Sequence, residues 1–161
     1  VTKDKNITTI STMADNALYF ARYVIKNHNV YPKDLWDVKL MALTSSPGTN
    51  TRLAETFHDF YGEDADIRET YGATEGMFGG QLDEKPAWSP YYDNVFFEVK
   101  TIDGFKPMYE MAPGEIGSLV VSTPVFPRYR IGDLILAFEP PYFRCIGRES
   151  RPLESYCFEK F

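Results

Sequence analysis

The sequence predicts an α/β unit followed by a β-rich part. Residues 1–80 carry a strand-helix-strand pattern. Helical periodicity stops after about Gly80, and from there turn signals separate short strand-like runs. The expected fold is a short parallel strand-helix-strand unit, then a small antiparallel sheet or partial barrel. The expected division is 1–80, 81–150 and a tail at 151–161.

Taken in order, residues 1–10 read as linker-like. Thr12 with Asp15 has the spacing of a capping box opening a helix. Met13, Ala17, Phe20, Ala21, Val24 and Ile25 then recur at helical spacing to about Asn27. Pro32 closes the link. Val38–Leu43 is a nearly continuous apolar run, which suits a buried parallel strand. Thr44–Thr49 is turn chemistry. A second helix is expected from Thr49 or Asn50, with Leu53, Ala54, Phe57, Phe60 and Tyr61 on one face and Gly62 as its C-terminal cap. Ile67–Tyr71 makes the next strand. A parallel pair with a right-handed crossover follows from this order. Ligands of open α/β sheets sit at the carboxyl ends of the strands. Thr44–Thr49 and Tyr71–Gly76 are both expected to leave those ends.

The second half offers Val95–Ile102, Ser118–Val125, Asp133–Glu139 and Tyr142–Ile146 as strands. Asp103-Gly104 and Pro140-Pro141 are turn signals between them.

The chain has 161 residues, enough for one domain with a real core. It is 43% hydrophobic and 16% aromatic, which fits a strand-rich globular protein. The net charge of −6 argues against a nucleic-acid backbone or an anionic membrane as partner. No apolar run approaches membrane-spanning length. Cys145 and Cys157 form no metal-ligand pattern and suit reduced thiols in a cytoplasm.

The densest chemistry is Tyr71-Gly72-Ala73-Thr74-Glu75-Gly76. An aromatic face stacks on a base, and glycine admits the backbone. A hydroxyl contacts phosphate, and a carboxylate holds magnesium. A nucleotide site needs all four. The same stretch, extended by Gly79-Gly80, also reads as an ordinary loop. His28 and His58 fall on expected helices without a partner at ligand spacing, so both are read as surface or structural. Trp88, Tyr91 and Tyr92 either line a pocket for an acyl group or pack under a long loop.

Further motifs follow in order: Gly114-Glu115-Ile116-Gly117, Tyr129-Arg130-Ile131-Gly132-Asp133 and Gly147-Arg148. The ordered set, from about Asp34 to Arg148, resembles the adenylate-forming acyl ligases. Within them it is most similar to the auxin-responsive-promoter-type acyl-amido synthetases of plants and their microbial relatives. The resemblance implies ATP and Mg2+ as cofactors, with acyl-AMP formed from a carboxylic acid. An amine then takes the acyl group, or a thiol such as coenzyme A in a thioester-forming ligase. It implies adenine stacking by Tyr71, beside Gly72 and Ala73. Thr74 would meet phosphate oxygens and Glu75 the magnesium ion. Asp133 would accept from both ribose hydroxyls, and Arg148 would lie near the ribose and α-phosphate. Ser46-Pro47-Gly48 falls at the family's adenine-edge loop, and equally reads as the turn before a helix. Arg130 is expected to hold its loop through a salt bridge.

The sequence departs from that family in two places. No Ser/Thr/Gly-rich phosphate loop precedes these motifs, and no hinge into a mobile C-terminal domain follows Arg148. The chain therefore reads as the central piece of a longer enzyme, inactive alone. Its apolar surface is expected to promote self-association. A non-catalytic interaction module on the same fold is the alternative from another class.

Overall fold

The computed structural model describes residues 4–44, 49 and 51–149. The expected parallel unit is present, with one strand more than expected. β1 (Thr9–Met13) pairs in parallel with β2 (Leu40–Thr44), with Thr9 opposite Leu40. β2 pairs in parallel with β3 (Asp66–Ala73), with Leu40 opposite Asp66. α1 (Ala14–His28) and α3 (Ala54–Tyr61) are the crossovers, and α2 is a single turn, Pro32–Leu35.

β1 displaces two expectations. Residues 9 and 10 are strand, not linker. Thr12 lies inside β1, so it does not cap α1. The N-cap is Met13, which makes no side-chain capping bond. The Thr-x-x-Asp spacing is there, but Thr9–Met13 is extended and in register with β2. Helix α1 otherwise follows its periodicity, burying Ala14, Ala17, Leu18, Ala21 and Val24. It ends at Asn29, whose left-handed conformation lets its N–H reach the Ile25 carbonyl at 2.9 Å. α3 starts at Ala54, later than expected, and buries Phe57 and Tyr61. Gly62 caps it by donating to His58 O at 2.9 Å.

One continuous core joins these elements: Ala17, Ala21, Met41, Leu43, Phe57, Tyr61 and Ile67, with Trp36 and Phe60 at its margin. The Tyr61 hydroxyl crosses it to donate to Ala17 O at 2.7 Å, and burial pushes that phenol up to about 12.

A two-residue turn, Thr74-Glu75, leads from β3 into β4 (Gly76–Gly80), which pairs antiparallel with the short β5 (Ser89–Pro90). The strand order of this sheet is β1-β2-β3-β4-β5.

The second sheet is antiparallel, in the order β10-β9-β8-β6-β7. Its strands are β6 (Phe96–Thr101), β7 (Gly104–Pro107), β8 (Ile116–Ser122), β9 (Tyr129–Ala137) and β10 (Phe143–Arg148). β6, β8, β9 and β10 were expected within a few residues, and the turn at Asp103-Gly104 joins β6 to β7. Central β8 is buried from Gly117 to Val121. Phe97, Val99, Leu119, Ile135 and Phe143 are fully buried, and Phe78 of β4 meets Phe97 edge-on at 6.3 Å.

Contacts group the chain into two compact units. One comprises the residues up to Tyr71 together with Gln81–Pro86. The other comprises Gly72–Gly80 together with the chain from Ala87 onward. Among the described residues no helix is long and apolar enough to cross a membrane.

Candidate nucleotide site

Most of the candidate residues lie in the second unit, and β9 organises them. Ser118 of β8 is opposite Leu134 and Val120 is opposite Arg130, so β9 carries extra residues against Leu119. Gly132 absorbs this bulge at φ +81°, a conformation open to glycine and costly for other residues. A second irregularity lies alongside, between Cys145 and Gly147 of β10. Bulges re-aim side chains, and these two flank Asp133 and Arg148, which are direct register partners.

Asp133 is buried, at 6% exposure. Arg148 Nη1 lies 3.2 Å from its Oδ1, and Arg148 Nη2 donates to Ile131 O at 2.9 Å. The guanidinium thus bridges the Asp133 carboxylate and the β9 backbone from the exposed side. Gly132 O accepts from Glu149 N at 2.9 Å, tying the end of β10 to the bulge. Arg130 forms the salt bridge expected of it, donating through Nη2 to both Glu149 oxygens at 2.7 and 2.8 Å.

Glu75 approaches from the turn between β3 and β4. The Glu75 carboxylate comes close enough to the Tyr129 hydroxyl, at the start of β9, to raise that phenol above its ordinary value. Arg148 opposes this shift electrostatically. Thr74, beside Glu75, is exposed at the tip of the turn. Gly72 lies where the hairpin closes. A Cβ there would sit 2.8 Å from Gly76 O and 2.7 Å from Met77 Sδ.

Tyr71, Gly72 and Ala73 are the last three residues of β3, not a loop. Tyr71 is only 6% exposed and follows Ile67 and Glu69 on the buried side of the strand. Ser46, Pro47 and Gly48 lie outside the described residues. Thr49 is buried.

Among the described residues no group of three or more His, Cys, Asp or Glu side chains is placed to hold a metal ion. Magnesium bound through substrate phosphates needs only one or two carboxylates, because it keeps several waters. Glu75, a single half-buried carboxylate at a turn, fits that requirement.

The remaining candidates have structural partners. Trp88 is 4% exposed, edge-on to Phe143 at 5.7 Å, with the Arg144 guanidinium 4.7 Å from its ring centre. Tyr92 packs edge-on to Phe97 at 5.6 Å. His58 Nε2 lies 3.1 Å from Ala65 O, and the His28 ring meets Tyr23. The residue that sequence reasoning left without a role is Tyr129. Its one signal was its place at the head of the Tyr-Arg-Ile-Gly-Asp motif.

No known family profile and no curated protein sequence matches the chain. Solved structures do. A 2-hydroxyisobutyryl-CoA ligase, solved in complex with 2-HIB-AMP and CoA, superposes with a TM-score of 0.67 at 17% identity, over 88% of this chain and 34% of that one. A benzoate CoA ligase from Burkholderia xenovorans LB400 gives 0.66 at 14% identity, over 95% and 34%. The GH3.15 acyl acid amido synthetase gives 0.56 at 23% identity, over 73% and 23%. The chain shares its fold with part of these adenylate-forming ligases. It spans about a third, or less, of their length.

Proposed function

We infer that the chain is part of an ATP-dependent ligase that adenylates a carboxylic acid and passes the acyl group to an amine. In that reaction a carboxylate oxygen attacks the α-phosphorus and pyrophosphate leaves. The amine then attacks the acyl carbon and AMP leaves. The observation that carries this reading is the group gathered in the second unit: Asp133 against Arg148 at the β9 bulge, and Glu75 in the β3–β4 turn. It supplies a carboxylate for a phosphate-bound cation and a carboxylate for two vicinal hydroxyls. It also supplies a guanidinium for negative charge developing at phosphorus.

In this reading Asp133 accepts from the ribose hydroxyls, and Arg148 and Thr74 hold phosphate oxygens. Glu75 binds Mg2+, which would offset charge on the phosphates when bound. Tyr71, with Gly72 and Ala73, faces the adenine, and Ser46-Pro47-Gly48 lies along its edge. Tyr71 has to present a ring face now covered, so a small opening at the end of β3 is part of the reading. The amide product rests on the motif resemblance to acyl-amido synthetases. The thioester alternative draws on the coenzyme A ligases among the solved neighbours. A cytoplasmic setting suits ATP use and a Cys145 that is in no disulfide.

Calorimetry with AMP on wild type, Tyr71→Ala and Asp133→Asn tests the site. Charge-assisted bonds contribute about 1.5–3 kcal/mol each, so losing one weakens binding on the order of tenfold or more. Equal affinity in all three proteins would remove these residues from the site. Absence of binding by wild type would favour the non-catalytic module. Pyrophosphate exchange followed by acceptor screening on a longer parent protein separates amide from thioester formation.

A further inference from the structure

We propose that Arg148 is a specificity-determining gate of this site: its guanidinium lies across the carboxylate that a ribose would use, so ligands carrying both a vicinal diol and a phosphate are favoured over a bare nucleoside. The proposal rests on the nucleotide reading above.

The β9–β10 register sets Arg148 opposite Asp133, and its guanidinium runs along the bulge of β9. Nη2 donates to Ile131 O at 2.9 Å, and a Cβ added to Gly132 would lie 3.9 Å from the same nitrogen. Nη1 is 3.2 Å from Asp133 Oδ1. Two other arginines of the second unit show what a fixed clamp looks like. Arg128 meets both Glu98 oxygens, each at 3.0 Å, and Arg130 meets both Glu149 oxygens, at 2.7 and 2.8 Å. Arg148 brings one nitrogen to one Asp133 oxygen, at 3.2 Å against the about 2.7–2.9 Å of a good charged bond. Its side chain is 56% exposed and that of Asp133 is 9% exposed. In this contact the cation is therefore the member able to move.

Two ribose hydroxyls need the Asp133 oxygens together. A carboxylate so little exposed cannot receive both while the guanidinium lies across it, so a ribose has to displace Arg148. A nucleoside gives nothing in exchange: the guanidinium leaves an anion and gains only water. A nucleotide supplies phosphate oxygens, which match the planar fork of an arginine as well as a carboxylate does. Displacement therefore weakens the binding of a nucleoside and is offset in a nucleotide. An arginine that only bound phosphate would leave nucleoside affinity unchanged on removal. A gate raises it.

The test compares the 161-residue chain with Arg148→Gln, using ligand-observed NMR with adenosine, AMP and 2′,3′-dideoxyadenosine. Wild type should bind AMP about tenfold more tightly than adenosine. Arg148→Gln should bind adenosine about threefold or more tighter than wild type does, and its preference for AMP should shrink to within about twofold. Dideoxyadenosine, which has no hydroxyls for Asp133, should gain nothing. Adenosine affinity that stays the same or falls in the folded variant overturns the proposal and leaves the nucleotide reading in place. So does a gain shared by dideoxyadenosine. Salt on wild type alone gives a second measurement that needs no variant to fold. From about 0.01 to 1 M the screening length falls from about 30 to 3 Å, which loosens the half-exposed Arg148–Asp133 contact. Adenosine should then gain on dideoxyadenosine while AMP weakens, and a ratio of the two nucleosides that salt leaves unchanged overturns the proposal. If wild type and variant bind neither adenosine nor AMP, the nucleotide reading and the proposal fall together.

Discussion

Replacing Gly72 by alanine tests how tightly the β3–β4 hairpin must close. The new methyl would lie 2.8 Å from Gly76 O, 2.7 Å from Met77 Sδ and 3.3 Å from Met77 Cα. Met77 is 48% exposed and its sulfur can swing away. The Gly76 carbonyl is backbone and cannot. To reach the 3.4 Å at which ordinary contacts begin, the turn bearing Glu75 has to shift by several tenths of an ångström. Overpacking of this kind costs about 1–3 kcal/mol. Stiffening the unfolded chain returns about 0.4–1 kcal/mol. The net loss is therefore about 1–2 kcal/mol. The chain has two tryptophans, and they fall in different units: Trp36 in the first and Trp88 in the second, which also holds Gly72. In a Trp36→Phe background, urea unfolding followed by Trp88 fluorescence should show this loss as a lower midpoint. Adding Met77→Ala should restore only part of it. An unchanged midpoint, or complete restoration by Met77→Ala, would refute the carbonyl clash.

Three further outcomes are expected. Lys106 Nζ bonds Glu115 Oε2 at 2.6 Å and the Ala112 N–H adds a second bond, so the Glu115 carboxyl sits below its ordinary 4.5. The unfolded chain then binds this proton more readily, so the stabilisation is present above pH 4.5 and disappears as the pH falls through the lower folded value. Melting temperatures of wild type and Glu115→Gln should differ near neutrality and converge in acid; a constant gap would contradict this. Tyr61→Phe removes the buried hydroxyl donor to Ala17 O and should lower the stability read from Trp36 by about 1 kcal/mol, with absorbance titration losing a phenol that ionises near 12. Leu119→Ala opens a cavity at a fully buried position of β8 and should cost about 2.7–5 kcal/mol by the Trp88 transition, against little change at Trp36.

The sequence made the buried elements legible and the exposed or glycine-bearing ones illegible. The apolar run ending at Leu43 and the stripe of Ala17, Ala21 and Val24 announce β2 and α1 because burial imposes their periodicity. β1 has the sequence Thr-Ile-Ser-Thr-Met with no fully buried residue, and Ile10 packs only partly against the core, so no apolar run marks it as a strand. β4 reads as a loop because three of its five residues are glycine, which strands disfavour. Gly79 is there for space: a Cβ would come within 2.9 Å of Ser89 O and 3.1 Å of the Phe143 ring. At the candidate site, Asp133 and Arg148 were visible as motif residues. Their pairing depends on the β9–β10 register, and the approach of Glu75 to Tyr129 on where a turn meets a distant strand. Neither leaves a trace in local spacing.

The chain passes between its two units three times, after Tyr71, after Gly80 and after Pro86. This has a consequence during synthesis. The Gly72–Gly80 segment leaves the ribosome early, but the unit it groups with is complete only after β10 ends at Arg148. At about 5–20 residues per second the segment waits several seconds or more for its partners. Phe78, fully buried in the finished protein against Phe97, spends that interval uncovered. A nascent chain halted between Gly80 and Phe97 should therefore be a good substrate for a holding chaperone, and one released past Arg148 a poor one.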